Sequence, residues 1–163
     1  VSFGTSAGLI GIYSDSGKKG QVWKSNDGST ISKLSKSPAA THFDDSTVFD
    51  GNVYLTGWDG KLYSSPLKTV GGSWKAISTP AALAKSSYSG LTSNANSLTA
   101  VGGQGRVYTL YKNKQTMNET INLSGNPILK DVIYFKNLVI AVGMTFPDDP
   151  FAPGKGFIAT TPE

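Results

Sequence analysis

The sequence predicts an all-β protein: a small propeller-like ring of four antiparallel meander blades, with the last blade incomplete. Three observations lead there. Gly, Ser and Thr are abundant and charged residues make up only 16% of the chain, while Val, Ile, Tyr, Phe and Trp recur in short runs, a composition of strands joined by tight turns. A turn glycine followed by a strand that begins alike recurs at Gly20, Gly60, Gly105 and Gly156, intervals of roughly 40–50 residues that suit blades. Ahead of each lies a second apolar strand, mostly ending near a glycine.

The glycine-led strands read Gly20-Gln-Val-Trp-Lys-Ser25, Gly60-Lys-Leu-Tyr-Ser-Ser65, Gly105-Arg-Val-Tyr-Thr-Leu110 and Gly156-Phe-Ile-Ala-Thr160. Their upstream partners are predicted at residues 9–13, 52–56, 97–101 and 138–142. Closing strands follow in three copies, at 31–35, 74–78 and 120–124, and the fourth copy has none. A leading strand completes each unit, at 1–5, 45–49, 90–93 and 132–135. Each unit is then a meander with a face it cannot bury alone, and packing the copies about an axis covers those faces. The alternative is a two-sheet sandwich, which also spaces short strands evenly. Only Thr79 to Lys85 has a helical character, with Pro80 suited to a first helical position.

At 163 residues the chain is predicted to be a single domain, 1–163. Its net charge of +4 comes from scattered lysines, with Arg106 the only arginine, so the clustered basic face of a nucleic-acid binder is missing. Without cysteine there is neither a disulfide framework nor a thiolate metal site. The most apolar stretch, Val132 to Met144, falls short of the roughly 20 residues a spanning helix needs. Because the chain begins at Val1, it is expected to be part of a longer parent protein, and the ring either closes with an incomplete blade or borrows a strand from residues upstream.

Between the third and fourth strands of the first copy, Ser25-Asn-Asp-Gly-Ser-Thr-Ile31 resembles the Asp-box repeat of bacterial neuraminidases, Ser-x-Asp-x-Gly-x-Thr-Trp. The match is one residue short and carries Ile31 where the family has Trp; other copies keep fragments such as Gly72-Ser-Trp74. The resemblance implies the propeller fold and not the activity. Sialidases of that family hold the substrate carboxylate with three arginines, whereas this chain has one arginine and two glutamates, Glu119 and Glu163. The cysteine-free, Ser/Thr/Gly-rich chain is also similar to the receptor-binding heads of corticovirus vertex spikes, which implies host attachment at a virion surface.

Candidate chemistry is sparse. The single histidine, His42, lacks a nucleophile elbow to serve, so a surface or loop histidine is expected rather than a triad member. Aligned on their second strands, the copies place Ser2, Asp45, Gly90 and Asp131 at one equivalent position, where Asp45 and Asp131 are candidate calcium ligands. The alternative is that both accept turn hydrogen bonds. The loops joining second to third strands share one end of a ring. There Trp58 and Asp59, with Phe146, Asp148, Asp149 and Phe151 of the long segment Met144 to Gly156, form the expected contact patch. The expected function is therefore binding of a cell-surface receptor or glycan by an extracellular or virion-surface module, and not catalysis. A degenerate sialidase- or glycosidase-type hydrolase and a purely structural assembly domain are the alternatives.

Overall fold

A computed structural model describes residues 9–13, 20–25, 27, 29–39, 42–77, 87–120, 126–146 and 153–162. The protein is all-β, its described strands arranged in four antiparallel sheets, with a 3-10 turn at Leu67–Thr69. The chain divides into two compact units, Val1–Ser87 and Tyr88–Glu163. Within every sheet, hydrogen-bonded neighbours are also neighbours in the chain. The leading strand expected at Val1 to Thr5 and the helical turn expected at Thr79 to Lys85 lie outside the described residues.

The first unit holds β1 (Leu9–Tyr13), β2 (Gln21–Ser25) and β3 (Ile31–Lys33) as one sheet. Its second sheet is β4 (Phe43–Phe49), β5 (Asn52–Gly57), β6 (Leu62–Pro66) and β7 (Lys75–Ile77). Between β4 and β5, Asp50 and Gly51 both take left-handed φ, 46° and 72°, which is what a two-residue hairpin matched to strand twist requires. The alternation of β2 sends Val22 inward, where it joins Leu34, Phe43, Val53, Leu55 and Tyr63 in one buried cluster. Burying each such aliphatic side chain contributes roughly 1.5–3 kcal/mol. Leu34 is fixed twice: its N–H donates to the Val22 carbonyl at 2.9 Å, and its side chain lies where a Cβ on Gly71 would come within 3.0 Å.

The Asp-box-like turn joins β2 to β3, as its sequence position predicts. Asp27 Oδ1 accepts the backbone N–H of Thr30 at 2.7 Å and of Ser29 at 2.8 Å, and the Ser25 hydroxyl at 3.1 Å. Those donors, the Thr30 N–H foremost, hold its carboxyl down from 3.8 to about 2. Ile31, in the family's tryptophan position, is 67% exposed.

The second unit holds β8 (Tyr88–Ser93), β9 (Ser97–Gly102), β10 (Arg106–Tyr111) and β11 (Thr116–Thr120) as one sheet. Its other sheet, β12 (Asn126–Phe135), β13 (Leu138–Phe146) and β14 (Lys155–Pro162), has three strands among the described residues. Two strands correct the sequence reading. The closing strand of the third copy, expected at 120–124, already begins at Thr116 because a tight turn closed by Tyr111 N–H on the Gln115 carbonyl follows β10 at once; β11 is described to Thr120, and residues 121–124 lie outside the described residues. The leading strand of the fourth copy, expected at 132–135, begins earlier, since β12 runs from Asn126 to Phe135.

A β-bulge recurs in each leading strand whose pairing is described: the register slips between Phe43 and Ser46, between Tyr88 and Gly90, and between Leu129 and Asp131. The residue at which each slip begins, Phe43, Tyr88 or Leu129, pairs with a glycine, Gly57, Gly102 and Gly143 respectively. Bulges bend a strand and raise its twist. At Gly143 the cause of the glycine is plain, since a Cβ there would lie 2.3 Å from the Ile128 carbonyl oxygen. Bent this way, β8 approaches β12 so closely that a Cβ on Gly90 would stand 2.8 Å from Asp131 Cα. Val101 and Val107 of one sheet bury against Leu129, Val132, Val139 and Ala141 of the next. Tyr134 ties the same two sheets by polar contacts, its hydroxyl lying 2.6 Å from Thr99 Oγ1 and 2.8 Å from Ser97 Oγ.

Two outcomes follow from this packing. Gly90→Ala pushes a methyl into the β12 backbone, and urea unfolding should show a loss of about 1–3 kcal/mol; an unchanged midpoint would mean the two strands stand further apart. Asp27→Asn should cost stability at neutral pH. Because the folded-state pKa of Asp27 is depressed, its contribution is present above pH 3.8 and is lost as pH falls through about 2. The gap between wild type and variant should therefore close across that window in thermal melts taken as a pH series.

Candidate binding site

Trp58 and Asp59 sit on the turn between β5 and β6. Gly57 N–H donates to the Lys61 carbonyl at 3.0 Å and Gly60 N–H to the Gly57 carbonyl at 3.1 Å, with Gly60 left-handed at φ 75°. Trp58 is anchored to the start of β4: its N–H donates to the His42 carbonyl at 3.2 Å, and its indole stacks on the His42 ring, centroids 4.3 Å apart and planes 20° from parallel. With one face backed by imidazole, the indole remains 56% exposed. A large apolar group held out in water by a tight turn presents contact area at little ordering cost.

Asp59 has a structural task beside that platform. Its Oδ2 accepts the Tyr63 hydroxyl at 2.5 Å and lies 3.3 Å from Lys61 Nζ, and its Oδ1 accepts the Lys61 N–H at 3.3 Å. Tyr63 is buried edge-on against Phe43, and burial, followed by the Asp59 carboxylate, raises its pKa far above the ordinary phenol value. The phenol thus stays a donor to Asp59. The exposed Lys61 partner contributes at most about 1 kcal/mol. What the cluster does is lock the turn that carries Trp58.

The other expected contacts divide. Phe146 ends β13 in the second unit and is 45% exposed. Asp148, Asp149 and Phe151 lie outside the described residues. The connection expected from Met144 to Gly156 is shorter than that, because β13 runs on to Phe146 and β14 begins at Lys155.

Asp45 and Asp131 occupy the same repeat position, two residues past the first residue of the bulge. Each carboxylate accepts the N–H of the residue that follows it, Ser46 at 2.7 Å and Val132 at 2.8 Å, so each supports its bulge. Among the described residues no group of three or more His, Asp or Glu side chains is gathered that could hold a metal ion.

His42, Lys61 and Tyr63 were not singled out by sequence as parts of this site. Tyr63 follows Asp59 by four residues, but one lies on the turn and the other on β6, and no periodicity marks the pair. His42 reaches Trp58 only through the pairing of β4 with β5.

No protein-family model matches the chain, and no curated protein matches it. Among solved structures it is similar to the computationally designed Ika4 protein, with a TM-score of 0.63 and 13% identity over 99% of this chain and 88% of that one. It is also similar to PorZ, an essential bacterial surface component of the type-IX secretion system of Porphyromonas gingivalis, with a TM-score of 0.52 and 12% identity. That match covers 98% of this chain and 22% of PorZ. At such identities the likeness is one of fold alone.

Proposed function

We propose that this chain is a receptor- or glycan-binding module, acting at a cell or virion surface in host attachment, whose four meander sheets stand as blades about a common axis. The observation that carries the binding reading is the Trp58 platform: an indole 56% exposed, yet fixed by the His42 stack and by the locked turn beneath it. Solvent gains nothing from so large an apolar surface, and rigid aromatic anchors of this kind dominate binding energy at protein interfaces. PorZ, a surface component, is consistent with display outside a cell but lends its fold only.

The ring reading is supported by an equivalence between sheets. Val101 pairs with Val107, and both are buried where their sheet packs on the next. The same register position in the last sheet is filled by Val142 and Ile158, which are 40% and 72% exposed. Ile133, Phe135 and Leu138 extend that uncovered face. It is patterned to receive a further sheet, and a ring supplies one.

Both readings are testable. Trp58→Ala should weaken adsorption of the purified protein to bacterial cells at least tenfold, about 1.4 kcal/mol or more, while leaving the melting temperature unchanged. Undiminished adsorption would remove the platform. Ile158→Asp should cost about 1.5–3 kcal/mol if the face is covered by a closing sheet. A change within about 0.5 kcal/mol, as for ordinary surface positions, would leave no ring.

A further inference from the structure

The first unit carries an open groove of about 630 Å³ between the 35–39 segment and β7, away from the Trp58 indole, with Lys36, Ser37, Ser73, Trp74 and Tyr63 in its lining. Its volume suits a small ligand, and its openness suits one residue of a longer polymer passing through.

The walls are built in advance. Ser37 Oγ accepts the Val22 N–H at 3.0 Å, and Ser35 Oγ donates to the Gly71 carbonyl at 3.4 Å, so the 35–38 segment is tied to both sheets of the unit. Trp74 Nε1 donates to the Lys36 carbonyl at 3.0 Å while the indole leans on the buried cluster of Val22, Leu34 and Tyr63. The ring is therefore oriented before any ligand arrives, which lowers the cost of binding. Tyr63 forms the base, its hydroxyl already committed to Asp59.

The charge around this groove has one sign. Lys36 lines it, Lys75 follows Trp74 on β7, and Lys33 lines a second cavity of about 270 Å³ on the far side of the 35–38 segment. Among the described residues no carboxylate lines either cavity. Asp59, joined to the groove through Tyr63, is neutralised by Lys61 at 3.3 Å. A half-buried indole, serine hydroxyls and unopposed ammonium groups together select a ligand with a flat C–H face, many hydroxyls and a negative charge.

We infer that this groove binds an acidic saccharide, a uronic-acid residue within a polymer, whose ring stacks on Trp74 and whose carboxylate is met by Lys36. The inference belongs to the same ligand-binding reading of the chain but uses a different surface, so either can fail alone. Tetragalacturonate titrated into ¹⁵N-labelled protein should shift the Trp74 indole N–H and the amides of residues 35–37. The fully methyl-esterified tetragalacturonate, its neutral counterpart, should bind at least tenfold more weakly. Lys36 is exposed, so Lys36→Gln should fold normally and lose about tenfold in affinity for the uronate, with Trp58→Ala leaving this titration unchanged. Absent shifts, equal response to the neutral sugar, an unaltered Lys36→Gln titration, or equal binding of a single-stranded oligonucleotide would each overturn the assignment.

Discussion

The repeated bulge in the leading strands is the constraint from which most of the architecture follows. One extra residue, at 89 or 130 or within the 44–45 step that stands against Thr56, is absorbed at the same repeat position, and the strand beyond it is re-aimed. The partner strand must then give way, and Gly143 does so by offering no Cβ to the Ile128 carbonyl. The close approach of β8 to β12 depends on the same bend, with Gly90 clearing the Asp131 backbone. The aspartates at 45 and 131 serve it directly by capping the N–H that follows.

Much of this was legible in the sequence, and what was not has physical causes. Turn glycines and short apolar runs are local signals, so Leu9–Tyr13, Asn52–Gly57, Ser97–Gly102 and the glycine-led strands fall where composition and spacing place them. The equivalence of Asp45, Gly90 and Asp131 also survives in the register. The start of β11 was missed because its turn uses Asn113 and a left-handed Lys114 rather than glycine. The length of β12 was missed because a bulge breaks strict alternation, which makes one strand read as a strand preceded by a loop. At the site, Trp58 stands out as an aromatic residue between turn glycines, whereas its support by His42 and the Tyr63 bond to Asp59 arise from strand pairing and side-chain reach.

A core with this many hydroxyls is held by more than apolar area. Thr56, Ser97, Thr99 and Thr109 are all buried within strands. Thr99 shares hydrogen bonds with both Thr109, at 3.1 Å, and Tyr134, so a chain of hydroxyls crosses from β10 through β9 to β12. Such networks specify one alignment of two sheets, because a slip of either leaves polar atoms without partners in a medium that penalises them. Apolar side chains such as Val101 and Leu129 supply the attraction and the hydroxyls fix the registration.

Because every described strand pairs with the strand before or after it in the chain, each sheet is wired from one continuous stretch. Such wiring makes a whole repeat a unit of duplication or deletion: a sheet can be gained or lost in evolution without re-threading the rest. Sequence drift among copies then costs little, provided each keeps its bulge and the glycine opposite. That tolerance accounts for repeats so unlike in their side chains and so alike in their hydrogen bonding.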